Sequence, residues 1–126
     1  MSENKKNILL VEDDKFLSEM YATKLTDNGF EADVAADGPE AMVKIKERRP
    51  DLILLDIVLP KMDGFEFLRL LKKDDSYKDI RVIILSNLGQ KEEIEKGLGL
   101  GADDYIIKAH FTPTEVVAKV KEILNT

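Results

Sequence analysis

The sequence contains no cysteine and a single histidine, His110, among its 126 residues. The absence of cysteine excludes disulfide scaffolds, thiolate zinc sites and cysteine nucleophiles. One histidine argues against a metal site with several imidazole ligands and against a Ser-His-Asp triad. These two features fit a site built from carboxylate, hydroxyl and ammonium groups.

Basic residues are also fewer than acidic residues. The chain has 19 Lys and Arg residues against 25 Asp and Glu residues, which gives a formal net charge of −6. The chain therefore lacks the excess of basic residues that is typical of proteins that bind nucleic acid. No apolar run approaches the ~20 residues of a membrane span, and residues 1–6 lack the apolar segment of a signal peptide. We therefore expect a cytoplasmic protein with neither a nucleic-acid nor a membrane partner.

The residues that are present suit one globular domain. Apolar residues make up 44% of the chain and charged residues 35%, a balance that argues against disorder. A chain of this length buries roughly two-thirds of its unfolded surface, which is enough for one core. We expect a single domain over residues 1–126, without a second, output domain.

Short apolar runs recur along the chain and predict five strands. They lie at Asn7–Val11, Ala32–Ala35, Asp51–Leu55, Arg81–Leu85 and Tyr105–Ile107. The first and third are continuous apolar stretches, as in strands buried on both faces, whereas the second is weak. An amphipathic stretch follows each run. This alternation predicts an α/β fold in which helices cover both faces of a parallel sheet.

The amphipathic stretches predict five helices. The apolar stripe of the first helix consists of Phe16, Leu17, Met20, Tyr21 and Leu25. Asp14 is suited to cap this helix, and Asn28-Gly29 to end it. Glu92–Leu98 is a poor helix by propensity because glycines lie within and after it. Thr112 and Glu115 form a capping box at the start of the last helix.

Polar side chains follow four of the five predicted strands. In chain order they are Glu12, Asp13 and Asp14, then Asp56, then Ser86 and Asn87, and finally Lys108. The carboxyl ends of parallel strands meet at one edge of a sheet, and sites in such folds form there. These side chains are therefore expected to lie close together.

Any one of these acids is well explained as a turn residue, but the group as a whole indicates a site. Carboxylates crowded at one edge raise each other's pKa unless a cation compensates. Oxygen ligands of this kind suit Mg²⁺, with Mn²⁺ as a substitute. A lysine and a hydroxyl nearby suit the oxygens of a phosphoryl group. The pattern predicts phosphoryl chemistry with an aspartate nucleophile.

At these residues the sequence resembles the response regulator receiver domain of two-component signalling. The matching strings, in order, are Ile8–Asp14, Leu54–Gly64, Val82–Ser86 and Gly101–Lys108. The resemblance runs from Ile8 to Leu124. It implies a flavodoxin-like, CheY-like (βα)5 fold, a three-layer sandwich whose five-stranded parallel sheet has the order 2-1-3-4-5.

The resemblance also implies a role for each polar residue. Asp56 corresponds to the phosphoacceptor. The implied ligands of Mg²⁺ (or Mn²⁺) are Glu12, Asp13, Asp56 and the backbone carbonyl of Val58. The implied phosphoryl-binding residues are Ser86, Asn87 and Lys108. Ser86 and Tyr105 correspond to the residues of the conformational switch.

The partners are implied in the same way. Receiver domains take a phosphoryl group from the phosphohistidine of a sensor histidine kinase or a phosphotransfer protein. They catalyse their own phosphorylation and dephosphorylation and are not turnover enzymes. The resemblance implies a signal to a downstream protein through the face made by the fourth helix, the fifth strand and the fifth helix. We expect a monomer, with a weak dimer on phosphorylation as the alternative.

One position departs from the family pattern. Ala109 follows Lys108 where the family usually has proline. A cis peptide bond before a residue other than proline costs about 3 kcal/mol. We therefore predict a trans Lys108–Ala109 bond and an altered path through His110.

Three other functions compete with phosphoryl signalling. A receiver-like interaction module that works without phosphorylation would be marked by loss of Asp56 or the acidic pair, and both are present. A phosphohydrolase of the haloacid dehalogenase type needs an aspartate two residues after its nucleophile, where Val58 stands. A flavodoxin that binds FMN fits poorly, because the acidic loop after the first strand would repel the flavin phosphate.

Overall fold

The structure, a computed structural model, describes residues 5–126. Its strands are β1 (Asn7–Val11), β2 (Glu31–Ala35), β3 (Leu52–Leu55), β4 (Arg81–Ser86) and β5 (Asp104–Ile107). They form one parallel sheet in the order β2-β1-β3-β4-β5, which confirms the predicted flavodoxin-like order. Each observed boundary lies within one residue of the predicted one. Residues 1–4 lie outside the described residues. They belong to the predicted domain and to residues 1–6, which lack the apolar segment of a signal peptide.

Five helices connect and follow the strands. They are α1 (Lys15–Asp27), α2 (Gly38–Glu47), α3 (Gly64–Lys73), α4 (Lys91–Gly99) and α5 (Pro113–Leu124). Two predicted caps are confirmed. Asp14 accepts the N–H of Leu17 at 3.0 Å, and Thr112 and Glu115 form the reciprocal capping box of α5. No helix within residues 5–126 has the length and apolarity needed to cross a bilayer.

The core consists of one apolar layer on each face of the sheet. Alternate residues of each central strand belong to different layers: Leu9 and Val11 of β1 face the layer with α2 and α3 residues. Ile8 and Leu10 face the layer with α1 and α5 residues. This double coverage explains why β1, β3 and β4 are continuous apolar runs, since both sets of alternate side chains are buried.

The glycine that weakens α4 is required by its packing. A Cβ atom at Gly97 would lie 2.4 Å from the Cδ1 atom of Ile84 and 3.1 Å from the Tyr105 ring. Only glycine lets the helix backbone approach the sheet this closely. Tertiary contact therefore overrides the low helix propensity of the segment.

Phe16 was wrongly assigned to the apolar stripe that packs α1 onto the sheet. Its side chain is 76% exposed, whereas Tyr21 and Leu25 are buried. Leu17 and Met20 are partly buried against the same core layer. Phe16 instead lines an open groove between α1 and α5. A helix surface has room for only one buried stripe, and Phe16 lies at its margin in the first turn.

The segment after β5 forms a 3₁₀ turn at Lys108–His110 that the sequence did not predict. The described residues contain no cis peptide bond, so the predicted trans Lys108–Ala109 bond is confirmed. The N–H of Phe111 donates to the Lys108 carbonyl at 3.3 Å and closes the turn. The predicted departure of this path from the usual family loop stays a prediction.

Candidate functional site

The carboxyl edge of the sheet brings three acids together. Glu12 follows β1 and Asp56 follows β3, and the backbone N–H of Asp56 donates to the Val11 carbonyl at 3.0 Å, which holds the two strand ends together. One carboxylate oxygen each of Glu12, Asp13 and Asp56 lies within 4.8 Å of the others. We call these three residues the acidic cluster. Among the described residues they are the one such group of metal-ligating side chains.

Two members of the acidic cluster are buried. Glu12 is 3% exposed and Asp56 is 7% exposed, whereas Asp13 is exposed. Burial raises the pKa of Glu12, although hydrogen bonds from Lys108 and the Asp14 backbone oppose the increase. Placing two carboxylates in this position therefore requires compensating positive charge.

Lys108 provides that charge from the end of β5. Its Nζ atom donates to Oδ2 of Asp56 at 2.8 Å and also to Oε1 of Glu12. Burial of the ammonium group favours its neutral form, but the hydrogen bonds that it donates to Asp56 and Glu12 prevail and raise the pKa of Lys108. The lysine is thus a fully charged bridge between two buried acids.

Asp56 is held in a fixed orientation. Its Oδ1 atom accepts the N–H of Ile57 at 2.7 Å and the N–H of Val58 at 3.2 Å, while Oδ2 faces Lys108. Gly64 starts α3 directly against this residue, because a Cβ at Gly64 would lie 2.4 Å from the Asp56 carbonyl oxygen. The glycine thus lets α3 close over the loop that carries the carboxylate.

The acidic cluster fits a hard divalent cation. Its donors are all carboxylate oxygens, the ligand type that Mg²⁺ prefers. The exposed Asp13 leaves one side of the cluster accessible to water and phosphate oxygens. Val58 lies two residues after Asp56 in this loop, and the predicted metal contact of its carbonyl stays a prediction.

The two predicted switch residues are connected through a residue that the sequence did not indicate. Ser86 is fully buried, and its Oγ atom accepts the N–H of Leu88 at 3.3 Å. The Tyr105 hydroxyl donates to the Leu88 carbonyl oxygen. Burial raises the pKa of the half-buried Tyr105 phenol. Leu88 therefore links the end of β4 to β5. Its contact with Tyr105 spans 17 positions of the chain, so no local signal in the sequence indicates it.

Asn87 contacts the 3₁₀ turn after β5. Its Oδ1 atom accepts the backbone N–H of Ala109 at 3.0 Å. The sequence did not indicate this contact, because the two residues are 22 positions apart. The predicted contact between Asn87 and a phosphoryl group stays a prediction.

Comparison with known proteins identifies the family. The model of the response regulator receiver domain matches residues 8–121. The phosphate regulon transcriptional regulatory protein PhoB of Klebsiella pneumoniae is 42% identical over 120 residues, which are 95% of this chain and 52% of that protein. The chain belongs to the response regulator receiver domain family. It spans about half the length of the curated relatives it matches.

Solved structures agree with the fold. A CheY-like receiver domain protein from Methanospirillum hungatei has a TM-score of 0.89 and 32% identity, over 97% of this chain and 95% of that chain. The chemotaxis protein CheY4 of Vibrio cholerae has a TM-score of 0.88 and 29% identity, over 94% and 98%. This architecture is therefore shared with solved structures of response regulators.

Proposed function

We propose that this receiver domain accepts a phosphoryl group on Asp56 from the phosphohistidine of a histidine kinase or phosphotransfer protein. The observation that carries the proposal is the position of Lys108, 2.8 Å from Asp56 and in contact with Glu12. A buried lysine between two carboxylates places positive charge where the charge of a phosphoryl group would develop. Family membership supports the same role.

The transfer is a displacement at phosphorus. An Asp56 carboxylate oxygen forms a bond to phosphorus while the bond from phosphorus to the donor imidazole nitrogen breaks. The electron pair of the breaking bond returns to that nitrogen. The Lys108 ammonium and the Ser86 hydroxyl then donate hydrogen bonds to the phosphoryl oxygens. The product is an acyl phosphate on Asp56 and a dephosphorylated donor.

The acidic cluster would hold Mg²⁺, or Mn²⁺, for this reaction. Three carboxylates against one lysine leave negative charge that would repel an incoming phosphoryl group. A bound divalent cation supplies the charge neutralisation that phosphoryl transfer needs. Glu12 and Asp56 are held in place by Lys108, and the exposed Asp13 completes the cluster.

Phosphorylation would change the surface through Ser86. When the Ser86 hydroxyl turns to the phosphoryl group, its contact with the N–H of Leu88 is lost. The Leu88 carbonyl that holds the Tyr105 hydroxyl then moves as well. Tyr105 packs against Gly97 of α4, so the change reaches the α4-β5-α5 face. A downstream protein would distinguish the two states of this face.

We expect the domain to act in the cytoplasm, where it meets its kinase, and to catalyse only its own phosphorylation and dephosphorylation. We expect a monomer before phosphorylation. Any output belongs to a partner or to a further domain, as the name of the PhoB relative indicates for that longer protein.

Intact mass spectrometry after incubation with phosphoramidate and Mg²⁺ tests this function. We expect the gain of one phosphoryl group in the wild-type chain and in Asp75→Ala, a control on an exposed loop. We expect no gain in Asp56→Ala, because no nucleophile remains at that position. An unchanged wild-type mass would overturn the proposal and favour an interaction module that works without phosphorylation.

A further inference from the structure

The hydrogen bond between Asn87 and Ala109 joins two loops at the carboxyl edge of the sheet. Asn87 directly follows Ser86, the last residue of β4, and Ala109 directly follows Lys108. The bond runs from the N–H of Ala109 to Oδ1 of Asn87 over 3.0 Å. It therefore connects the loop after β4 to the turn that carries the lysine.

This bond lies one step beyond the last pair of the β4–β5 ladder. Ser86 is paired with Ile107, where both strands end. Past this point the Ala109 N–H has no strand opposite it, and a backbone donor needs some acceptor. The Asn87 carboxamide takes the place of the missing strand. Lys108 thus lies between Ile107, held by the ladder, and Ala109, held by Asn87.

We propose that Asn87 is a positioning residue for Lys108, and that it acts through the backbone of Ala109. Lys108 reaches Asp56 with its ammonium group from a 3₁₀ turn that is exposed at Ala109 and His110. Fixing the backbone on both sides of the lysine restricts where the Nζ atom points. The proposal rests on the proposed function, because it concerns the lysine that would meet the phosphoryl group.

A double-mutant cycle separates this indirect role from a direct contact with the phosphoryl group. The rate of phosphorylation by phosphoramidate at saturating Mg²⁺ is measured by intact mass in the wild-type chain, Asn87→Ala, Ala109→Pro and the double variant. Proline has no N–H to donate, so Ala109→Pro removes the bond from the other side. Proline also shifts the residue before it, so the decisive quantity is the effect of Asn87→Ala in each background.

We expect Asn87→Ala to slow phosphorylation about threefold to tenfold when Ala109 is present, since small displacements of a positioning group already reduce rates. In the Ala109→Pro background the same change should have no effect. Equal slowing in both backgrounds overturns the proposal, because Asn87 then acts directly on the phosphoryl group. No slowing in either background overturns it as well.

Two further measurements exclude a general loss of structure. Mg²⁺ affinity, measured by calorimetry, should not fall in Asn87→Ala, because the acidic cluster is unchanged. Asn28→Ala serves as a matched control, since Asn28 also makes side-chain hydrogen bonds, to Lys24 and Lys121, at the other end of α1. Its phosphorylation rate should equal that of the wild type. A fall in Mg²⁺ affinity in Asn87→Ala would overturn the positioning role.

Amide hydrogen exchange tests the positioning role of Asn87 without requiring phosphorylation, so its outcome is independent of the proposed function. If the wild-type chain takes no phosphoryl group, the proposed function fails. Hydrogen exchange of the Ala109 amide, measured by nuclear magnetic resonance, still tests the hydrogen bond to Asn87. This exchange should become at least about threefold faster in Asn87→Ala. Unchanged exchange overturns the positioning role.

Discussion

The interior of the sheet and its carboxyl edge are built on the same strands, β1, β3 and β4, from opposite kinds of side chain. Inside, apolar residues such as Leu54 and Ile83 are fully buried, with a core layer on each face. At the edge, Glu12 and Asp56 are nearly as buried but charged. Burying apolar groups stabilises the fold, whereas burying carboxylates costs free energy, which the ion pairs with Lys108 oppose. The residues that stabilise the fold and the residues suited to chemistry are therefore neighbours on the same strands but are different side chains.

The largest expected effect on stability comes from a substitution in the interior that leaves the carboxyl edge unchanged. Phe67 of α3 is fully buried in the layer beside α2 and α3. Phe67→Ala should lower the free energy of unfolding by about 3–5 kcal/mol, from lost burial and the cavity left behind. Phe16→Ala is the matched control, and because Phe16 is exposed we expect a change within about 0.5 kcal/mol. Urea unfolding measures both, and equal losses would contradict the assignment of Phe16 to the surface.

A substitution at the carboxyl edge should have a smaller effect on stability, and its effects on stability and on Mg²⁺ binding should be opposite. Asp13→Asn removes one negative charge from the acidic cluster, so the metal-free protein should become about 1 kcal/mol more stable. The same change should weaken Mg²⁺ binding at least about tenfold, because a ligand is lost. Urea unfolding without metal and calorimetry with Mg²⁺ measure the two quantities. Asp75→Asn, outside the cluster, should change neither. A loss of stability in metal-free Asp13→Asn would contradict repulsion within the cluster.

The smallest effect concerns pH and the lysine bridge. The pKa of Lys108 is raised above its ordinary value of 10.5, because the bonds to Asp56 and Glu12 outweigh its burial. The stability from this bridge is therefore fully present below pH 10.5 and is lost as pH rises through the folded-state pKa. Above about pH 10.5, the unfolding free energy should fall more steeply in the wild type than in Lys108→Met. Lys46→Met, at an exposed site on α2, should keep the wild-type slope, and a shared slope for all three would contradict the bridge.

Most of the fold could be predicted because its signals are local. Continuous apolar runs identified β1 and β3, and alternation of runs with amphipathic stretches identified the parallel sheet. The sequence signal was weak at one place and wrong at another, and tertiary contact decides both. α4 forms in spite of Gly97 because the helix packs tightly on Ile84. Phe16 has the right spacing for the buried stripe of α1 but lies outside the core.

The site could be predicted only as a set of residues. Parallel strands place their carboxyl ends at one edge, so Glu12, Asp56 and Lys108 were expected near one another. The sequence could not state that Lys108 bridges both acids, since the partners are 96 and 52 residues apart in the chain. The links from Leu88 to Tyr105 and from Asn87 to Ala109 were missed for the same reason. Each begins in the loop after β4, which carries no pattern of its own, and ends at a residue 17 or 22 positions further along the chain.

The sequence by itself determined the order and type of the elements and the kind of side chain at each strand end. Those properties depend on hydrophobic periodicity and capping, which are written in neighbouring residues. Only the tertiary structure decided which groups meet: the lysine between Glu12 and Asp56, and the Asn87 carboxamide under the Ala109 N–H. Hydrogen bonds and ion pairs act over a few ångströms, so they depend on strand register and loop path, which arise only when the chain packs.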